Sequence, residues 1–209
     1  MILICAATEK EIENVKLEFY RKKDIDFLIT DVGVMNTTFT LTKFLIKNRK
    51  KLDLIILAGI GGGFDESGIN VNDICVASSE FLADFGICFK NRIDYFKYNG
   101  EEIKIDNEIL EKVSLNFPEI KIGNFITVQC VTATDERKQF FLKKLNPICE
   151  NMEGFAAAFL CEKFNINFLE IRAISNIVGE RENWKLNEAI ERLNYFLIKL
   201  VKYEELFKI

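Results

Sequence analysis

Two short stretches carry the residues best suited to chemistry, Asn151-Met152-Glu153-Gly154-Phe155 and Arg172-Ala173-Ile174-Ser175-Asn176. The first sets a carboxylate inside an apolar run, and the second ends a hydrophobic strand in a polar cluster. Glu11 and the glycine-rich run 59–63 complete the set. The chain contains no histidine. That excludes Ser-His-Asp and Cys-His catalysis, and with them histidine-ligated metals. Acid–base work must fall to carboxylates, Lys, Tyr, Cys, amides or water.

Each of these residues also has a plain structural reading. Thr8 followed by Glu11 has the spacing of a reciprocal capping box. Glu153, placed in the first turn of a helix expected over 152–164, would favour the helix dipole by ~0.3–1 kcal/mol. The glycines can form a tight turn, and Asn176 can be a strand-end turn residue. A dinucleotide fingerprint starting at Gly59 would need glycine where Phe64 stands, and a P-loop would need a lysine that does not follow. Consecutive glycines closing a buried strand instead point to something that approaches the backbone closely.

The elements that must hold these residues follow from the hydrophobic pattern. Apolar runs at 1–7 and 53–58 look like buried parallel strands. Between them a strand at 26–32 ends at Gly33, and Asn36 is expected to cap a helix with Phe39, Leu41, Phe44, Leu45 and Ile46 at helical spacing. This β-α-β-α-β order predicts a parallel sheet covered on both faces. Downstream, the pattern predicts strand alternation over 71–89, a polar irregular stretch at 90–120 with a short helix at 107–115, and a buried strand at 125–131. A helix at 135–145, a short strand from Pro147, a helix at 152–164 and a strand at 167–175 come next. A long amphipathic helix runs from 185 to about 206. No repeat, low-complexity tract or linker divides the chain, so one domain over 1–209 is expected.

A net charge of −4 offers no basic face to nucleic acid. No apolar run reaches the ~18 residues of a membrane span, and the start lacks the basic region and cleavage site of a signal peptide. A cytoplasmic protein without nucleic-acid or membrane partners is expected. Cys5, Cys75, Cys88, Cys130, Cys149 and Cys161 form no CxxC pair and read as free thiols, mostly buried.

Taken in order, these motifs resemble the purine nucleosidase and phosphorylase superfamily, particularly its methylthioadenosine/S-adenosylhomocysteine nucleosidase branch. The resemblance rests on Ala6-Ala7-Thr8-Glu9-Lys10-Glu11, the glycine run, Met152-Glu153-Gly154 and Arg172-Ala173-Ile174-Ser175-Asn176. Within the superfamily the chain looks most like the futalosine hydrolases, through Ala58-Gly-Ile-Gly-Gly-Gly-Phe64, Asn151-Met-Glu-Gly-Phe155 and Leu169-Glu-Ile-Arg-Ala-Ile-Ser-Asn-Ile-Val-Gly179 with Arg181 and Trp184. It implies a three-layer α/β fold, its mixed central sheet partly closed as a barrel and flanked by helices. It also implies hydrolysis of a purine nucleoside's N-glycosidic bond without metal or organic cofactor, in a homodimer.

By the same resemblance Glu11 matches the water-activating acid/base. Met152 and Glu153 match the ribose-binding pair, with Glu153 on the 2′ and 3′ hydroxyls. Ile60 stands where the nucleosidases have serine, and Ile60, Phe64, Met152 and Phe155 would wall out water. Gly61, Arg172 and Trp184 are further substrate contacts. Arg172, Arg181 and Lys185 are possible anchors for a substrate carboxylate, with solvated surface charge as the plainer reading of each. Trp184 would be a lid or a packing residue.

Asn176 is the departure. The adenine-releasing enzymes carry aspartate there, which can pass a proton toward N7. An amide can only donate a hydrogen bond, to N7 or to a C6 carbonyl. That favours a 6-oxopurine such as hypoxanthine, the base of futalosine, in menaquinone biosynthesis. The alternatives are an adenine-releasing methylthioadenosine/S-adenosylhomocysteine or aminofutalosine nucleosidase, and a non-catalytic nucleoside-binding module. No basic phosphate cradle is visible near Gly33 or Gly61, which speaks against phosphorolysis.

Overall fold

The computed structural model describes residues 1–89, 92–96, 102–105, 108–180, 182 and 184–203. In chain order its elements are β1 (Ile2–Ala6), α1 (Glu9–Phe19), β2 (Ile25–Ile29), α2 (Val34–Asn48), β3 (Leu54–Gly63) and β4 (Ile74–Leu82). Next come β5 (Gly86–Phe89), β6 (Arg92–Tyr95), β7 (Glu102–Lys104), α3 (Glu108–Asn116), β8 (Lys121–Thr127) and α4 (Asp135–Leu145). The chain closes with β9 (Pro147–Asn151), α5 (Gly154–Phe164), β10 (Asn167–Ile177) and α6 (Leu186–Lys202).

The first three strands pair in parallel, β2 on β1 and β1 on β3, as the β-α-β-α-β order requires. β3 is ten residues long and takes more partners along its length. It pairs parallel to β10 throughout and antiparallel to β9 at its end. Since β10 also pairs with β4, β4 with β8 and β8 with β9, strands β3, β10, β4, β8 and β9 close into a barrel. The mixed, partly closed sheet matches the expectation, and it makes the barrel mouth the meeting point of several strand ends.

Helices cover both faces. On one side α1 and α6 pack onto the sheet through Ile12, Val15, Leu193, Phe196, Leu197 and Leu200. On the other, α2 and α5 bury Leu41, Leu45, Ala157 and Leu160. A smaller cluster around Phe64 and Phe141 seals the α4 side. Each such fully buried large side chain contributes about 1.5–3 kcal/mol. Four cysteines are buried and free; Cys88 and Cys130 are free and exposed.

Several sequence expectations shift. The glycine run forms no turn: it continues β3, and none of its residues has positive φ. Asn36 lies inside α2 rather than capping it, its amide donating back to Val32 O at 2.8 Å. Only Leu41 and Leu45 of the expected face are fully buried, while Phe39 and Ile46 are exposed, because α5 covers a narrower stripe than the pattern offers. The strand expected at 125–131 sits four residues earlier. Its polar Asn124 is accommodated by bonds from Ser79 Oγ (2.9 Å) and to Leu145 O (2.9 Å), which hides it from an apolar pattern. The stretch read as irregular holds β6 and β7 besides a helix, whose expected start at 107 lies outside the described residues. α5 starts at Gly154, so Glu153 is its N-cap rather than a first-turn residue. β10 runs on through Asn176 by way of a bulge. α6 ends at Lys202, with Tyr203 as its C-cap.

Candidate active site

At the barrel mouth lies a cleft of about 380 Å³. Of the residues singled out by sequence, Glu11, Ile60, Gly61, Met152, Glu153, Arg172, Asn176 and Trp184 line it. Phe64 and Phe155 do not: both are packed into the core, Phe64 beside α4 and Phe155 beneath α2. Lys185 is exposed and pairs with Glu188 on α6, in line with the surface reading. Arg181 lies outside the described residues.

Glu11 makes the capping contact and also faces the cleft. Its Oε2 accepts from the Thr8 N–H (2.8 Å) and hydroxyl (2.9 Å), which is the capping contact. Its Oε1 reaches the cleft and accepts from Ile60 N–H at 3.1 Å. Three donors thus fix a carboxylate that is 5% exposed. α1 is also kinked at Ile12 (φ −129°). There the Asn194 amide of α6 is spliced into the helix ladder, donating to Glu11 O (2.9 Å) and accepting from Val15 N–H (3.2 Å). Asn194→Leu strands these two buried backbone groups and should cost about 2–6 kcal/mol, at 1–3 kcal/mol per orphaned group, measured by urea unfolding.

Glu153 is held from two sides. Gly33 N–H donates to its Oε1 (3.0 Å) and Arg172 Nη1 to its Oε2 (3.2 Å). Gly33 has φ +95°, a left-handed conformation that glycine adopts without strain, and so turns its N–H toward the cleft. Asn151 caps α5 by accepting from Glu153 N–H (2.9 Å) and Gly154 N–H (2.7 Å). The same oxygen accepts from Arg172 Nη2 at 3.2 Å.

Arg172 is not the solvated charge that the plainer sequence reading offered. It is 1% exposed, and its Nε donates to Glu170 Oε1 at 2.9 Å. Burial alone would discharge it, but Glu170, Glu153 and Glu11 outweigh that and hold its pKa above the ordinary value. The close approach foreseen at the glycines is largely this side chain. A Cβ on Gly59 would sit 2.5 Å from Arg172 Nη1 and 2.9 Å from Glu11 Oε1. Gly59→Ala should therefore displace both groups, lowering kcat by about tenfold or more, in line with the sensitivity of catalysis to small misplacements. Steady-state rates beside a thermal melt check this.

Behind Arg172 lies a buried acid pair, Glu80 and Glu170. A Cβ on Gly154 would meet Glu80 Oε1 at 2.1 Å and Glu170 Oε2 at 2.4 Å, so only glycine fits there. Burial first, then the Glu170 charge, pushes Glu80 well above its ordinary 4.5. Burial also raises Glu170, against the pull of Arg172. Glu80's oxygens also accept from Asn151 Nδ2 (2.5 Å) and Thr127 Oγ1 (2.8 Å). Because the folded pKa is raised, this group's contribution is complete below pH 4.5 and is lost as pH rises through the folded value. Glu80→Gln mimics the protonated acid. Its melting temperature should match wild type at and below about pH 4.5 and fall less steeply as pH rises from there through neutrality.

One carboxylate of the cleft escaped the sequence reading. Glu150 also lines the cleft, 5% exposed, accepting from Thr132 N–H (2.9 Å) and Oγ1 (2.5 Å). Burial raises its pKa, partly offset by those two bonds. At the neighbouring position across the barrel, Asn176 Oδ1 accepts from Ser175 Oγ (2.8 Å), and Nδ2 donates to Ile177 O at 3.3 Å. The signal for Glu170 and Arg172 was present: two charges spaced by two in an apolar strand share one face.

The cleft at the mouth of the mixed barrel thus gathers three carboxylates, Glu11, Glu150 and Glu153, and comparison with known proteins gives the family. The profile of the phosphorylase superfamily matches residues 23–202, and the chain belongs to that superfamily. It is 28% identical to a futalosine hydrolase of Acidothermus cellulolyticus over 81% of this chain and 72% of that one. It is 27% identical to a 5'-methylthioadenosine/S-adenosylhomocysteine nucleosidase of Staphylococcus aureus over 82% of this chain and 79% of that one. The native structure of a Helicobacter pylori futalosine hydrolase superposes with a TM-score of 0.83 at 20% identity, covering 96% of this chain and 97% of that chain.

Proposed function

We propose that this protein is an N-glycosidic hydrolase that splits futalosine into hypoxanthine and dehypoxanthinylfutalosine, a step of menaquinone biosynthesis. Relatives named as nucleosidases and as futalosine hydrolase support the hydrolase class about equally for both substrates. The observation that carries the finer choice is Asn176 in the cleft wall, an amide where the adenine-releasing branch is expected to hold an acid.

Cleavage of the ribosyl–purine bond passes through a sugar with oxocarbenium character. Glu11 and Glu153, both 5% exposed or less, supply fixed negative charge to that cation in a water-poor cleft, where each interaction is strengthened. Glu153 keeps acceptor lone pairs for the ribose hydroxyls, oriented by Gly33 N–H and Arg172. Glu11 Oε1, at the barrel mouth beside Ile60 N–H, takes a proton from the attacking water. The departing base takes the bonding electron pair and leaves as an anion, which the Asn176 amide stabilises by a hydrogen bond to N7 or the C6 carbonyl and which then takes a proton from solvent. Water rather than phosphate is the acceptor. The cleft offers three carboxylates, Glu11, Glu150 and Glu153, against two cations, Lys10 and Arg172. Both cations are engaged, Lys10 by Asn187 and Arg172 by Glu170 and Glu153.

Incubation with futalosine followed by chromatography tests this. Hypoxanthine should appear without added phosphate, and its absence would sink the proposal. Two further family features are proposed with it: a single domain over 1–209 and a homodimer, the latter checked by light scattering.

A further inference from the structure

Glu80 and Glu170 are fully buried, do not line the cleft and take no part in the proposed chemistry. Buried acids are costly unless they are paired and hydrogen-bonded. The shortest contact of the Arg172 guanidinium is with Glu170 rather than with Glu153. Nε donates to Glu170 Oε1 at 2.9 Å, against 3.2 Å from Nη1 to Glu153 Oε2. Nη2 donates to Asn151 Oδ1 at 3.2 Å. A guanidinium is planar and rigid, so fixing Nε and Nη2 fixes the direction of Nη1. Glu170 is fixed in its turn. Its Oε2 has no hydrogen-bond partner among the described residues. That atom and Glu80 Oε1 both lie within 2.4 Å of the point where a Cβ on Gly154 would stand. Two carboxyl oxygens meet in a dry interior when they share a proton, since like charges in contact cannot both ionise. Glu80 is anchored by Thr127 at the end of β8 and Asn151 at the end of β9. A line of contacts therefore runs from two strand ends through Glu80, Glu170 and Arg172 to Glu153.

We propose that Glu170, propped by Glu80, is a positioning residue that aims the Arg172 guanidinium so that Nη1 holds Glu153 in the attitude needed to grip the ribose hydroxyls. The inference rests on the nucleosidase reading of this cleft, with Glu153 on the ribose. Glu153 has two holds, Gly33 N–H on Oε1 and Arg172 Nη1 on Oε2. Two bonds fix the plane of a carboxylate, whereas one leaves it free to pivot. Without an acceptor for Nε, Arg172 loses its nearest partner and can swing, and Glu153 then turns about Gly33 alone. The free lone pairs of Glu153 no longer meet the hydroxyl protons in line. Glu170 bonds only to Arg172 among the residues that line the cleft. Its loss should therefore fall on ligands that carry the ribose hydroxyls, and spare those that lack one.

The test measures calorimetric binding of inosine, adenosine and their 2′-deoxy counterparts in a Glu11→Gln background, where no base remains to activate water. Turnover of the same nucleosides is followed with Glu11 intact. With Glu170 present, the ribonucleosides should bind about tenfold or more tighter than the deoxy forms, since a missing hydroxyl leaves a buried acceptor unpaired. Glu170→Leu should cut that preference to about threefold or less, by weakening the ribonucleosides about tenfold while the deoxy forms change less than about threefold. Glu170→Gln keeps one acceptor for Nε without the charge. It should fall between the two, and it serves if the leucine variant does not fold. An unchanged preference in the variants, or equal losses for ribo and deoxy ligands, means a merely structural role and overturns the assignment of Glu170. No ribose preference with Glu170 present would overturn it together with the ribose reading of Glu153. A Glu170-dependent preference without glycosidic turnover would instead overturn the proposed function and leave Glu170's role in place.

Discussion

Replacing Glu11 by glutamine should lower kcat on the order of 10²-fold or more while the protein still folds. The carboxylate is held by donors from β3 and from the start of α1. Glutamine keeps the shape but cannot take a proton from water. It also turns an NH₂ toward either Ile60 N–H or the Thr8 donors, so one donor loses its acceptor. That loss amounts to about 1–3 kcal/mol of stability, a few degrees in melting temperature for a chain of this size. A near-normal melt with a collapsed rate separates chemistry from folding. Wild-type rates would show that Glu11 is a capping residue alone.

The second large effect falls on Arg172. Arg172→Met removes the one cation that touches both Glu153 and Glu170, leaving two buried carboxylates without their partner. Breaking a buried ion pair in this way costs about 3–5 kcal/mol, a large part of a typical domain's 5–15 kcal/mol. Denaturant midpoints should fall accordingly, and activity should drop with them, because Glu153 then depends on Gly33 N–H alone. Adding Glu170→Gln should restore part of the stability, since it removes one of the uncompensated charges, yet restore little activity. Simple additivity of the two losses would contradict the network, whose members share partners and should couple.

Much of this arrangement was legible in the chain. The β1–α1–β2–α2–β3 start, the bounds of α4 and the start of β9 follow from apolar runs and capping chemistry, and the convergence of Glu11, Glu153 and Asn176 from the family resemblance. Barrel closure was foreseen only through the family resemblance, because it depends on β3 accepting β10 and β9 at once, a matter of non-local pairing that local periodicity does not encode. At the glycine run the close approach was foreseen, and its tight-turn alternative is not realised. Its residues are small so that Arg172, Glu11, Cys149 and Ile174 can approach a continuing strand, not so that the backbone can turn. Phe64 and Phe155 were placed at the cleft by motif proximity, but strand alternation and the α5 face send both into the core. The buried polar layer of Glu80, Glu170, Asn151 and Asn194 is the part sequence shows least. A polar residue in an apolar element reads as an edge or an interruption until its partners, distant in the chain, are known.

The central claim is hydrolysis by a Glu11-activated water with release of an oxopurine. It is tested most directly in one reaction, with equimolar futalosine and its 6-amino counterpart mixed with the protein in ¹⁸O-enriched water and resolved by mass spectrometry. The account expects hypoxanthine to form ahead of adenine, with the label in the sugar product and no dependence on phosphate. Adenine as the leading base, or an unlabelled or phosphorylated sugar, would contradict it.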